Sequence, residues 1–191
     1  MSAPVWVVAG PPGAGKSTVA QLLATSLDPP AAVIDKDTLY SGFVTAMLAA
    51  AGRPFGEREG AWYDEHIKAF EYEGMAATAR EIRGYGCPVI LVAPFTGQIH
   101  DADRWRAFVA ELGGPPLHLV WLQVDAPTLR ARLTARGDPR DAAKLADFAA
   151  FVAATRPGQA PPVRHCAVDN SATATGSLEE AVQRLVSGLD T

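Results

Sequence analysis

Eight consecutive residues, Gly10-Pro11-Pro12-Gly13-Ala14-Gly15-Lys16-Ser17, satisfy the pattern G-x-x-x-x-G-K-[ST], and Thr18 continues from them. Each residue type has a use. The glycines let backbone N–H groups turn inward and approach a phosphate closely. A helix opening near Gly15 aims its positive end at the same anion. Lys16 brings a mobile positive charge to the β- and γ-phosphates, and the Ser17 hydroxyl is a hard oxygen ligand for Mg²⁺. A chance match in a Gly/Pro-rich loop would lack a preceding strand and a following helix; here both are expected.

A second group lies at Asp35-Lys36-Asp37, two carboxylates two residues apart. In an extended chain, residues i and i+2 point to one side. Beside a triphosphate, one acid can serve Mg²⁺ and the other can accept a hydroxyl proton. The competing reading makes Asp37 the cap of a helix starting at Thr38. A third group is Arg132, Arg136 and Arg140, spaced by four but interrupted by Gly137 and Pro139. This reads as a mobile segment whose guanidiniums close on developing charge. The alternative is a solvated face with Arg136 and Arg140 paired to Asp138 or Asp141. Asn170 follows a strand and either reads a base edge or simply occupies a turn. Tyr40, Arg53, Arg58, Tyr63 and His66, with Phe95, Thr96 and Gln98, are the polar-tipped or cleft-facing candidates for an acceptor site.

These groups must be held by alternating strands and helices. Val5–Ala9, Ala31–Asp35, Val89–Ala93, Leu117–Val124 and Val163–Val168 are short apolar runs that read as buried strands. Helical periodicity falls at Ser17–Leu27, at Trp105–Leu112, at Pro127–Ala135 and at Asp141–Ala154. Residues 38–84 read as helical, broken at 52–56. The last helix begins at Ser177, with Glu180 completing a capping box and Leu178, Val182, Leu185, Val186 and Leu189 as its buried stripe. Five such strands between helices imply an α/β fold in three αβα layers around a mostly parallel sheet. Ligands then bind beyond the carboxyl ends of the strands, where all three polar groups fall.

With the loop at 10–17, the D-x-D at 35–37 and the arginines near 132–140 in this order, the chain resembles the P-loop small-molecule kinases of the nucleoside-monophosphate-kinase-like group. That group includes shikimate kinase, gluconate kinase, chloramphenicol phosphotransferase and zeta-toxin-like kinases. The resemblance implies a five-stranded sheet of order 2-3-1-4-5. At 191 residues the chain fits one domain over 1–191, in which 38–84 would be the substrate-binding section and, by the resemblance, about 132–145 the lid. The resemblance makes ATP and Mg²⁺ the cofactors, Asp35 the magnesium-assisting acid and Asp37 the base toward the acceptor hydroxyl. Arg136 and Arg140 become the lid arginines, with Arg132 or Arg136 on the adenine. One departure is the third strand, which ends Leu91-Val92-Ala93-Pro94-Phe95 without the acid of a water-activating ATPase. The Gly-rich turn that shikimate kinase carries there is also missing.

Composition narrows the partners. The formal net charge is −4 with no Lys/Arg run, which argues against general nucleic-acid binding. Cys87 and Cys166 have neither zinc nor C-x-x-C spacing, and no run reaches the ~18 apolar residues of a membrane span. A cytoplasmic protein, monomeric or homodimeric, is expected. The expected activity is transfer of the γ-phosphate of ATP to a hydroxyl of a small molecule: a metabolite, a nucleoside-like compound or an antibiotic. The rivals are a polynucleotide 5′-kinase and a non-catalytic ATP-binding protein.

Overall fold

The computed structural model describes residues 2–188. Five strands, β1 (Val5–Ala9), β2 (Ala32–Asp35), β3 (Val89–Val92), β4 (Leu117–Gln123) and β5 (Cys166–Asp169), form one parallel sheet of order β2-β3-β1-β4-β5. The order implied by the family resemblance is the order found. All five residues of β1 are buried, because strands pair on both of its edges and helices cover both faces.

The helices are α1 (Lys16–Ser26), α2 (Lys36–Ala50), α3 (Ala61–Tyr63), α4 (Ala69–Gly84), α5 (Thr96–Ile99), α6 (Ala102–Glu111), α7 (Ala126–Arg136), α8 (Ala142–Ala146), α9 (Phe148–Thr155) and α10 (Leu178–Ser187). A π-helical turn (Asp64–Lys68) joins α3 to α4, and a 3-10 turn (Pro139–Asp141) precedes α8. Alternation along β1 sorts the core into two layers. Val5, Val7 and Ala9 pack with Met75, Phe95 and Phe108 on one face. Trp6 and Val8 pack with Leu23, Leu129 and Val182 on the other. A smaller cluster of Val44, Leu48, Tyr63 and Ile67 ties α2 to the π turn.

Several boundaries differ from the sequence reading for local reasons. The helix expected over Asp141–Ala154 divides at Asp147 (φ −124°, ψ 71°), whose carboxylate caps α9 by accepting from the Ala150 N–H at 3.0 Å. α5 is a single turn that hydrophobic periodicity cannot report. β5 starts only at Cys166, so His165 lies before the strand; its Nδ1 is 2.7 Å from the Val163 carbonyl and its ring meets Trp121 edge-on. The capping box at Ser177 and Glu180 forms as read. Leu189, placed in the stripe of that helix, lies outside the described residues.

Candidate functional site

β1 and β4 are neighbours whose outgoing connections leave toward opposite ends of the sheet, so a crevice opens at their carboxyl ends. The loop 10–17 occupies it. Gly15 is the N-cap of α1 at φ 92°, a left-handed conformation, and a Cβ there would collide with the Asn170 side chain. The close approach has a cause. Asn170 Nδ2 donates to the Ala14 carbonyl at 2.8 Å, and Arg132 donates to the Gly13 carbonyl (3.4 Å) and to Asn170 Oδ1 (3.3 Å). Asn170 therefore braces the loop, with both ends of its amide engaged, a role that neither the base-edge nor the turn reading named. Arg132 braces the same loop from α7.

Lys16 folds back and donates to the Pro11 carbonyl at 3.0 Å. Burial pushes its ammonium down to about 8 against the opposing pull of Asp37 and Asp35. Ser17 Oγ donates to Asp35 Oδ2 at 3.4 Å, so a hydroxyl and a carboxylate stand together at the start of α1.

The two acids are positioned differently from the extended-chain argument. α2 begins at Lys36, and the cap is Asp35, not Asp37: its Oδ1 accepts from the Thr38 N–H at 3.0 Å. Asp37 lies in the first helical turn with its carboxylate half exposed to the cleft. Burial opposes its ionisation, but Lys36, Arg140, Lys16 and Arg58 outweigh burial and hold the carboxyl below its ordinary range.

The arginine segment reaches across the cleft. Arg140 Nη1 donates to Asp37 Oδ2 at 2.9 Å while its Nε is 2.8 Å from Asp138. Arg136 Nε donates at 2.8 Å to Asp141, which is 1% exposed and also receives Lys144 at 3.4 Å. The ion pairs of the alternative reading thus form, and the same arginines still border the cleft. Gly137, at φ 62°, ends α7 between them.

The cleft has a volume of about 1130 Å³, and its lining includes Gly13, Gly15, Lys16, Ser17, Thr18 and Pro12 of the loop together with Asp35, Asp37, Thr96 and Gln98. Gly10, Pro11 and Ala14 complete the loop from below; Gly10 and Ala14 are buried. The expected acceptor residues separate into groups. Phe95 is fully buried against Tyr72 and Phe108, so it is core. Tyr40 packs its hydroxyl end onto Gly74 of α4, away from the cleft lining. Arg53 is paired with Glu57 and lies over the Trp62 ring, on which His66 also stacks. Tyr63 does line the cleft, but its hydroxyl donates to Glu71 at 2.6 Å. Arg58 lines it too, held by the Ser41 carbonyl and hydroxyl, each at 3.2 Å.

Sequence reasoning passed over Lys36 and Glu71, which are 8% and 2% exposed and bridge at 3.0 Å beneath Asp37. Lys36 read as the spacer of the D-x-D, and Glu71 stood among aromatic residues without a visible partner. The only signal was the presence of a charged residue in a stretch otherwise suited to a core.

An AAA domain family matches residues 5–160. The chain belongs to this family. Its fold is shared by kinases that act on small molecules. It matches APS kinase of Mycobacterium tuberculosis, solved with AMPPNP and APS, at 21% identity, TM-score 0.63, over 100% of this chain and 98% of that one. A sugar kinase from Janibacter sp. HTCC2649 matches at 16% identity, TM-score 0.63, over 100% and 95%. The tunicamycin resistance protein of Deinococcus radiodurans matches at 18% identity, TM-score 0.61, over 99% and 96%. No curated protein sequence matches the chain. No helix among the described residues is long and apolar enough to cross a membrane.

Proposed function

We propose that this P-loop protein is an ATP- and Mg²⁺-dependent phosphotransferase whose acceptor is a hydroxyl of a small molecule. The observation that carries this reading is Asp37: an ionised, half-exposed carboxylate in the same cleft as Lys16 and the phosphate loop.

The loop amides and Lys16 would hold the triphosphate, on a loop whose left-handed Gly15 lies too close to Asn170 to carry a side chain. Mg²⁺ fits the hard-oxygen pair Ser17 and Asp35, which supplies two protein ligands and leaves the rest to phosphate and water, the usual arrangement for this ion. Among the described residues no trio of His, Cys, Asp and Glu gathers into an all-protein metal site. When bound, the ion would neutralise charge on the transferring phosphate oxygens.

Asp37 would take the proton of the acceptor hydroxyl as its oxygen bonds to the γ-phosphorus and the bond to the β–γ bridging oxygen breaks, releasing ADP. Arg136 and Arg140 would lie over the transferring group, screening it from water and compensating charge. Asp37→Asn tests the assignment. It should keep nucleotide affinity within about twofold and lower transfer by roughly 10²-fold or more. A mass-spectrometric screen for ATP-dependent phosphorylation of metabolites, nucleosides and antibiotics, run beside a 5′-hydroxyl oligonucleotide, identifies the acceptor. Normal turnover by Asp37→Asn would remove the base from the mechanism, and transfer to the oligonucleotide alone would make the protein a polynucleotide kinase.

A further inference from the structure

Under the floor of the cleft lies a buried charge cluster with no obvious use in packing. Glu71 has both oxygens engaged: Oε1 receives Lys36 Nζ at 3.0 Å and Oε2 receives the Tyr63 hydroxyl at 2.6 Å. Burying an ion pair costs desolvation that its attraction often fails to recover, and apolar side chains of similar volume would stabilise the fold as well or better. Stability alone does not account for the cluster, and what it touches is Asp37.

The backbone goes out of its way to build it. Tyr63 and Glu71 are eight residues apart, which on a regular α-helix would point them about 80° from each other. The π turn Asp64–Lys68 between them absorbs one residue, and the offset falls to roughly 20°. Lys36 arrives from a third element, as the first residue of α2. Its Nζ is 3.8 Å from Asp37 Oδ1, too long for a hydrogen bond. The other carboxylate oxygen of Asp37, Oδ2, is taken by Arg140. Oδ1 is thus the oxygen left for an acceptor hydroxyl, and Lys36 is the cation nearest to capturing it.

We propose that Glu71 is a positioning residue: with the Tyr63 hydroxyl it draws the Lys36 ammonium inward and so keeps Oδ1 of Asp37 open to the acceptor. The proposal rests on the reading of Asp37 as base. Removing the charge of Glu71 leaves Asp37 as the nearest anion for Lys36, and the ammonium closes onto Oδ1. Removing Lys36 as well should lift that block.

Two measurements on the full chain test this and keep it separate from the phosphotransferase reading. In amine acylation followed by mass spectrometry, Lys36 should be protected in the wild type and label faster in Glu71→Gln and in the milder Tyr63→Phe. In kinetics, Glu71→Gln should lower kcat roughly 10- to 100-fold with nucleotide affinity unchanged. Adding Lys36→Met to Glu71→Gln should then recover kcat, whereas a purely structural cluster would lose more. The idea is overturned if Lys36 labels equally in all variants, or if the double variant is no faster than Glu71→Gln. A wild type that phosphorylates nothing would sink the functional reading, while the labelling would still report where Lys36 sits. Should Glu71→Gln not fold, Tyr63→Phe with and without Lys36→Met gives the same contrast.

Discussion

At the scale of single residues, the site works by unequal treatment of like groups. Asp35 and Asp37 differ by two positions, yet one is spent on a helix cap and the Ser17 hydroxyl while the other is left facing the cleft. The same division explains Lys16. Its ammonium, pushed down to about 8 by burial, stays charged at neutral pH and begins to lose its proton above pH 8. Bound phosphates would hold its proton, so binding takes up a proton above pH 8 and none below. Nucleotide affinity should therefore be flat up to about pH 8 and weaken by up to about tenfold per unit above it, as read by calorimetry in several buffers. The sign for stability is the reverse. A lysine whose folded value is lowered costs stability in full below about 8, and that cost fades as pH rises from about 8 toward the ordinary value of 10.5. Lys16→Met should raise the thermal midpoint of the nucleotide-free protein at pH 7 by a few degrees while abolishing nucleotide binding. A fall in midpoint would mean that the bond to the Pro11 carbonyl outweighs the buried charge.

At the scale of elements, the loop is shaped from outside as much as by its own glycines. Asn170 after β5 and Arg132 on α7 both reach its carbonyls, so elements more than a hundred residues away set its form. Gly15→Ala strains a left-handed residue and meets Asn170 at once, and should cost nucleotide affinity at least tenfold with the fold retained by circular dichroism. Asn170→Ala should weaken affinity severalfold without touching the phosphates directly. The capping box of α10 offers a contrast far from the cleft. Ser177→Ala should cost about 1 kcal/mol of stability by denaturant titration and leave nucleotide affinity unchanged. The π turn belongs at this scale too, since helical periodicity in 61–84 slips by a residue there. That slip hid the pairing of Tyr63 with Glu71.

At the scale of the whole molecule, the segment 136–144 reaches across the cleft to Asp37 and to residues 56–59. Arg140 meets Asp37, Lys144 lies 3.8 Å from Glu59, and a Cβ on Gly56 would touch the backbone of Pro139 and Arg140. Ligand binding should therefore couple to global stability. Mg·ATP at a hundred times its Kd should add about 2.7 kcal/mol, and a midpoint that stays fixed as nucleotide rises would argue against the site.

Much of this was legible in the residues alone, because local physics dictates it. The phosphate loop, β1, β4 and the capping box depend on spacing, β-branched runs and cap chemistry, and these hold whatever the rest of the chain does. The order of the strands came from family likeness, and the parallel pairs β1·β3 and β1·β4 bear it out. What only the tertiary structure decided were the partners of polar side chains. Phe95 fills the core, Asn170 braces a loop, Arg53 rests on Trp62, and Glu71 holds Lys36. The reason is physical: periodicity reports which face of an element is apolar, whereas a hydrogen bond requires two distant segments to agree within a few tenths of an ångström, and that agreement exists only once the chain is folded.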